Sequence, residues 1–524
     1  MSEPGALRAL DWRFLLPLPP GDCFGHLVLL GGAPGQAALA HSIGLAEIVS
    51  EVTPTPAALV DAIVVLRGGL PALSAALPAL RPGGVVYYEA PRRTVAVSRL
   101  TRPLHALGLP HTTVYGLWPN RTVRDLYLPF DNSPAVRWYF HALGATAQSV
   151  SPLLARLARI LTALHPALLV PLVDLAVVAT QGRASEPPTF AQRAGLPSTG
   201  APLLLTPGPH DLGRVAAFTG PAGAPRPTAV LKCWRMPAQN AATAGEQAVL
   251  SKIHAALEAP MRQTLPRPLG DFTFQRLRVG AESCAPGRSP GEARDAWEPL
   301  DRHVTDLRLA ADWLTRFHCQ AQLARQAWSQ PDLDEWVDKP LAALAGHLPA
   351  GHALFSLFAQ TRAAAQQLLG RPVPLVWVHW GFANRNLFRT DGRLFVIDWE
   401  AASPGPPLYD LHYYVIHWYL NVSRAQSLPA ASRAVARLFG APPGDDHAVL
   451  AAQTALSAYQ RDVAFDPGFA PVFLVAHLAE RVLGRLRRQP VDAAAALVTR
   501  SPYTHYLTAL AARQTWLFRE AHGS

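Results

Sequence analysis

Lysine is nearly absent from this chain. Only Lys232, Lys252 and Lys339 occur in 524 residues, so the positive charge falls to arginine. The formal net charge is +10, yet no dense Lys/Arg cluster with interleaved aromatics occurs, which argues against a nucleic-acid partner. The Arg/Ala/Pro/Leu bias is that of a GC-rich bacterial genome, so the basic balance alone names no partner. Cysteine is scarce too. Cys23, Cys233, Cys284 and Cys319 lie far apart and lack zinc spacing, and free thiols in a reducing cytoplasm are expected. The N-terminus has no basic-then-apolar leader. No uninterrupted apolar run has the length of a membrane span. Residues 161–179 come nearest, but His165, Pro166, Pro171 and Asp174 break them into an expected buried helix and strand. Charged residues make up only 16% and apolar ones 49%, which excludes a disordered chain. The length allows two to three domains.

What is present is alternation. Leu27–Leu30 reads as a short buried strand ending in Gly31-Gly-Ala-Pro-Gly35, and Gln36–Ser42 as the helix after it. Glu47–Glu51, Asp61–Leu66 and Val85–Tyr88 read as further strands, with a helix over Pro71–Leu80 and a turn at Arg81-Pro-Gly-Gly84. Strands alternating with helices imply a parallel sheet. A glycine turn between the first strand and its helix is where such sheets take a nucleotide-like ligand. Residues 181–200 carry Gly, Ser and Pro-Pro without apolar periodicity, and read as a linker. Beyond it, Leu203–Leu205, Arg214–Phe218 and Thr228–Lys232 read as antiparallel strands. Ala241–Leu257 has helical periodicity, Phe272–Val279 is another strand, and Leu307–Ala324 is a helix with Trp313, Leu314 and Phe317 on one face. From Leu408 onward the pattern is helical.

Two stretches carry chemistry. His379-Trp-Gly-Phe-Ala-Asn-Arg-Asn386 places an asparagine seven residues after a histidine, and Val396-Ile-Asp398-Trp-Glu400 ends an apolar strand in aspartate. An amide carbonyl and a carboxylate are oxygen ligands of the kind Mg²⁺ takes, alongside waters and phosphate oxygens. Lys232 ends the strand Val230-Leu-Lys232, and Glu246 lies on the next helix. Pro207-Gly-Pro-His-Asp-Leu-Gly213 joins the first two strands. There Gly208 and Gly213 let backbone N–H groups approach oxyanions, or form a plain turn.

These stretches resemble the aminoglycoside phosphotransferase and choline kinase-like family, whose loop reads His-Gly-Asp-x-x-x-x-Asn and whose strand ends in Ile-Asp-Trp-Glu or a close variant. The resemblance implies an α+β two-lobed kinase-like fold over 201–524. It implies that Lys232 meets nucleotide phosphates and Glu246, that Asn386 and Asp398 hold Mg²⁺ with ATP or GTP, that His379 supports the loop, and that Asp410 anchors the helix behind it. Adenine would be held by backbone near Glu282-Ser-Cys-Ala-Pro286. The family's catalytic aspartate falls at Gly381. No acidic residue lies between His379 and Asp391, and Glu400 is the nearest substitute in sequence.

Residues 10–180 resemble class I S-adenosylmethionine-dependent methyltransferases through Asp11-Trp-Arg-Phe-Leu-Leu-Pro17, the glycine turn, Asp61 and Pro82-Gly-Gly84. This implies a Rossmann-like α/β domain over 1–183, followed by a linker at 184–200. The cofactor would meet Gly31, Gly32 and Gly35, with Glu51 on the ribose. Leu29 and Ala33 replace the acidic residue and the middle glycine of the family's turn, and the usual third strand is missing, so weak or no cofactor binding is expected. Three functions stand at this point: a phosphotransferase acting on a hydroxyl of a small, sugar-containing molecule; a nucleotide-binding scaffold without activity; and a methyltransferase regulated by its C-terminal part. The partners expected are a nucleotide and a small-molecule acceptor, in the cytoplasm, with no nucleic acid and no membrane span.

Overall fold

The structure is a computed structural model. It describes residues 7–17, 22–53, 55, 58–90, 96–143, 152–181, 190–196, 200–207, 213–221, 223–289, 299–390, 392–442, 444–487 and 494–519. The chain forms two compact units. One comprises 1–251 and 266–288, the other 252–265 and 289–524.

The first unit is built on one twelve-stranded sheet. Its strands are β1 (Phe24–Leu30), β2 (Ala46–Ser50), β3 (Val60–Val65), β4 (Leu80–Glu89), β5 (His111–Trp118), β6 (Leu126–Pro129), β7 (Asp174–Thr180), β8 (Leu203–Leu205), β9 (Arg214–Thr219), β10 (Ala229–Trp234), β11 (Pro268–Phe274) and β12 (Leu277–Ser283). Their spatial order is β11-β12-β10-β9-β8-β6-β5-β7-β4-β3-β1-β2. The expected alternation appears at the β2 end, where β1 to β4 pair in parallel. Among the described residues no strand intervenes between β2 and β3 in sequence, and β2 forms the edge.

Apolar residues bury both faces of this parallel part. Val28, Leu30, Ile63 and Val65 join one core. Leu27, Leu29, Ala62 and Val64 join the other. The second core runs on without a break into Leu231, Val279 and Ala281 of β10 and β12. The expected boundary at 184–200 is therefore not where the compact units part. Backbone pairing crosses it, with Leu126 opposite Leu205 and Tyr127 opposite Leu204. Within 184–200, Phe190 is buried against Phe14, Phe272 and Phe274. One aromatic residue anchors a stretch whose composition reads as linker.

Other expectations shift at the turns. Phe272–Val279 is two strands rather than one. Gln275 and Arg276 both take positive φ, 51° and 61°, and close a β11–β12 hairpin. That turn type usually announces itself through Asn or Gly, and here neither is present. Arg81-Pro-Gly-Gly84 lies within β4 as an irregularity in its pairing with β3. The helix expected over Pro71–Leu80 is an α-helix Gly69–Ala76 with a 3₁₀ turn Leu77–Ala79.

Asp11-Trp-Arg-Phe lies in a 3₁₀ segment, Leu7–Leu15, beneath the sheet. The Asp11 carboxylate accepts from Arg235 Nε at 2.8 Å and Nη2 at 2.6 Å, 224 residues away in sequence. Both side chains are almost fully buried. Arg13 donates to the Arg235 carbonyl at 2.9 Å, and Gln275 donates to the Arg13 carbonyl at 3.4 Å. The segment therefore fastens the N-terminal part to β10 and the β11–β12 turn.

The second unit is mostly helical, with a three-stranded sheet of β13 (Ala324–Ala327), β14 (Pro372–Val378) and β17 (Ser403–Gly405) and a hairpin of β15 (Leu387–Thr390) and β16 (Arg393–Val396). The helix Leu300–Gln320 buries Leu307, Ala310, Leu314 and Phe317, the three-and-four spacing of an apolar helix face. No helix among the described residues is long and apolar enough to cross a membrane.

The Asp11–Arg235 pair yields a stability prediction. Arg235→Met leaves a buried carboxylate without its cation and should cost about 3–5 kcal/mol in denaturant unfolding. Asp11→Leu combined with Arg235→Met should recover most of that loss. Equal stability of Arg235→Met and the parent would refute the role given to the pair.

Candidate functional site

The candidate residues form a cluster in each unit. In the first unit Lys232 leaves β10 opposite Gly280 of β12. Because side chains alternate along a strand, Glu282 projects from the same face as Gly280 and is the diagonal neighbour of Lys232. The ammonium contacts Glu282 closely and lies 3.5 Å from Glu246 Oε1. Arg214 on β9 pairs with Glu246 as well. Two cations thus balance two buried carboxylates. Burial pushes the Glu282 carboxyl above its usual range, against the pull of Lys232. Glu246 lies on the helix Asn240–Ala256, whose Gln247 side chain packs over Gly280. A Cβ at 280 would come within 2.8 Å of Gln247 Nε2.

The expected pairing of Lys232 with Glu246 is thus present. Glu282 and Arg214 join it unannounced by the sequence. Glu282 belongs to a stretch whose backbone alone carries the expected role, and only strand register shows that it shares a face with Lys232. Gly213 lies immediately before β9 and is half-buried, while Gly208 falls outside the described residues.

In the second unit β14 delivers His379 and β16 leads to Asp398. His379 Nε2 donates to the Ile397 carbonyl at 2.8 Å, and its Nδ1 accepts the Gly381 N–H at 3.1 Å. Those two bonds fit one neutral tautomer, so the ring serves as a brace. Trp399 packs edge-on against it, centroids 4.7 Å apart. Asn386 is buried, and its Nδ2 donates to the Gly381 carbonyl at 2.9 Å, which leaves its carbonyl oxygen as the end able to ligate. Asp410 accepts the N–H groups of His379 and Trp380 at 2.6 and 2.9 Å. Burial pushes its carboxyl up to about 7, while those two hydrogen bonds and Arg481 pull it down. Asp410 is therefore an anchor, as the sequence implies.

Three residues here hold left-handed backbone without being glycine: Trp380 (φ 63°), Asp398 (φ 72°) and Leu408 (φ 73°). Such conformations cost on the order of 1 kcal/mol each and persist where surrounding bonds over-determine them. Trp380 has its N–H on Asp410 and its indole on Ser403 Oγ at 2.8 Å. Gly381 itself is not left-handed. A Cβ there would meet Asn386 Nδ2 at 3.1 Å and His379 Nδ1 at 3.4 Å. Glu400 is exposed.

The glycine turn after β1 is filled by its own chain. Gly31 (φ 70°) faces the backbone of Arg67, where a Cβ would come within 2.6 Å. Gln36 is buried, takes the Ala33 N–H on its Oε1 at 2.8 Å, and donates to the Ala9 carbonyl at 3.3 Å. Its Oε1 would lie 2.9 Å from a Cβ on Gly32. Gly35 (φ 81°) is open, and Glu51 is exposed at the end of the edge strand. Arg67 and Gln36 thus stand where side chains on residues 31 and 32 would point, while Gly35 has open space at the same position.

Residues 214–451 match the model of the phosphotransferase enzyme family, APH. The match begins at β9 of the first unit and ends in the helices of the second. Among solved structures, a glucosamine kinase in complex with glucosamine, ADP and inorganic phosphate is 18% identical, with a TM-score of 0.37 over 59% of this chain and 79% of that one. A putative aminoglycoside phosphotransferase from Ralstonia eutropha is 14% identical, with a TM-score of 0.39 over 60% and 94%. A choline/ethanolamine kinase family protein from Mesorhizobium loti is 17% identical, with a TM-score of 0.31 over 62% and 97%. No curated protein matches the chain.

The filled turn predicts that S-adenosylmethionine does not bind. The titration should use the whole chain, because the β6–β8 pairing and Arg235 tie residues 1–183 to later strands of the same sheet. Calorimetry should show no heat of binding at micromolar ligand. A micromolar dissociation constant would overturn this reading of Gln36 and Arg67.

Proposed function

We propose that the chain is a phosphotransferase that takes Mg-ATP or Mg-GTP and acts on a hydroxyl of a small molecule. One observation carries the reading: the loop that bears Asn386 is fully braced around position 381. His379, Asp410 and the Asn386 amide all commit hydrogen bonds to its backbone. The match of 214–451 to the phosphotransferase enzyme family supports it.

Asn386 and Asp398 fit a magnesium ion in chemistry, since both offer oxygen, and the remaining positions suit water and phosphate. Bound Mg²⁺ would supply charge neutralisation on the phosphate oxygens. Lys232 adds a cation held in place by Glu246 and Glu282. His379 keeps the loop in register without moving a proton. Residues 201–524 carry this activity in the proposal, residues 1–183 serve as its scaffold, and the protein works in the cytoplasm.

Gly381 favours a second reading, a nucleotide-binding module without transfer. The side chain that accepts the substrate's proton in the family is missing there. A positioned base contributes on the order of 10² to 10⁴-fold. Positioning and charge neutralisation, which carry much of phosphoryl transfer, do not depend on that side chain.

Two measurements test these readings. Mg-ATP should raise the melting temperature, because a ligand at 100 times its dissociation constant adds about 2.7 kcal/mol. Asp398→Ala should remove the metal-dependent part of that shift. An unchanged melt at millimolar Mg-ATP would sink the nucleotide site.

Gly381→Asp is expected to fold, since the backbone there is not left-handed and the neighbours need give only a few tenths of an ångström. Turnover, read as nucleotide hydrolysis, should rise by up to roughly 10² to 10⁴-fold. A stable Gly381→Asp protein that binds Mg-ATP and gains nothing would decide for the binding module.

A further inference from the structure

The surroundings of the loop on the helical side are basic and aromatic. Arg481, on the helix Phe469–Leu486, donates to the carbonyl of Trp380, the residue before Gly381. Its guanidinium lies over the Tyr413 ring, 4.1 Å from the centroid, and 5.6 Å from that of Tyr503. Arg485, one turn further along, lies 5.0 Å from the Tyr503 centroid. Arg385 belongs to the loop itself, next to Asn386. Its charge reaches Tyr413 and His417, and those of Arg481 and Arg485 reach His417 as well. His417 packs edge-on against Tyr413 at 4.5 Å, and its buried Nε2 has no hydrogen-bond partner.

Among the described residues, carboxylates offset these cations only in part: the buried Asp410 feels the charge of Arg481. Glu480 lies beside Arg481 in sequence but pairs with Arg487 at 3.1 Å. Asp410 is spent on two backbone N–H groups. Among the described residues none of Arg385, Arg481 and Arg485 forms an ion pair. Arg385 and Arg485 are exposed, while Tyr413 and Tyr503 are buried beneath them. Two guanidiniums over two tyrosine rings, with the charge of Arg385 close by, make a field that repels a cation and attracts an anion. Guanidinium forks also match carboxylate and phosphate geometry.

We propose that the acceptor is an anion, a molecule bearing a carboxylate or phosphate group, and that Arg385 and Arg485 with Arg481 select it beside position 381. The inference rests on the phosphotransferase reading for the word acceptor. The anion preference itself rests only on the side chains around the loop. It takes the sugar-containing acceptor expected from sequence and assigns it a charge. A polyamine or aminosugar is disfavoured by the same field.

The test is binding of four probes that share one frame and differ in charge: glucose, glucosamine, glucuronate and glucose 6-phosphate. Each is titrated calorimetrically into the full chain, with and without Mg²⁺ and a non-hydrolysable ATP analogue. Glucuronate and glucose 6-phosphate should bind at least roughly tenfold tighter than glucose and glucosamine, the size of one charge-assisted contact. Arg385→Ala with Arg485→Ala should erase that difference. Both sites are exposed, so the double variant should keep the parent's melting temperature. Arg487→Ala, on the same helix but paired with Glu480, should leave the difference intact. The proposal is overturned if glucosamine binds as tightly as the acids, if neither acid binds at millimolar concentration, or if the preference survives the double variant. Failure of the nucleotide analogue to bind counts against the phosphotransferase reading alone, because the comparison is also made without it.

Discussion

The buried pair of Asp11 and Arg235 is the constraint on which the first unit rests. It joins the opening segment of the chain to the strand that carries Lys232, and it does so where neither charge can reach water. A buried ion pair is weak evidence for net stability, but breaking one is costly because the survivor stays buried. Its effect is therefore to specify an arrangement. Only with Leu7–Leu15 seated against β10 do both charges find partners, and that seat also aligns Arg13 and Gln275. The backbone makes the same join again through β6 and β8. Where composition suggests two domains, hydrogen bonding makes one sheet.

The two clusters of candidate residues are built by different physics. Around Lys232, charge balance dominates: two carboxylates meet two cations in a nearly closed environment. An anion such as a phosphate would have to compete with Glu282 for the ammonium. Around Gly381, backbone geometry dominates. Trp380, Asp398 and Leu408 all take left-handed conformations, and Trp380 is held there by bonds to Asp410 and Ser403. Such strain collects at functional sites. Its presence beside Gly381 is in keeping with the ligating role proposed for the loop.

Much of this is legible in the sequence. Apolar alternation locates β1, β3 and β10 to within a few residues, and the His379-to-Asn386 spacing locates the loop. The misses share a cause. The β11–β12 turn uses Gln275 and Arg276, residue types with no turn preference, so two strands read as one. Phe190 sits among Gly, Ser and Pro, and its burial depends on Phe14 and Phe274, far away in sequence. Glu282 needs strand register to be seen as a partner of Lys232. Asp11-Trp-Arg-Phe reads as part of the N-terminal half and serves instead as its fastening to the rest. In each case a local pattern is overruled by a long-range contact.

The separation of Asp11 from Arg235 also has a meaning in time. A chain emerges from synthesis at about 5 to 20 residues per second. The separation of 224 positions therefore corresponds to a delay of roughly ten to forty-five seconds. For part of it, after β6 is made and before β8 follows, β6 presents an unpaired edge. Contacts this distant in sequence also slow folding once the chain is complete. It follows that the newborn N-terminal part passes through a stage with an open strand edge, a template for wrong pairing, and that its yield in a cell depends on protection during that interval.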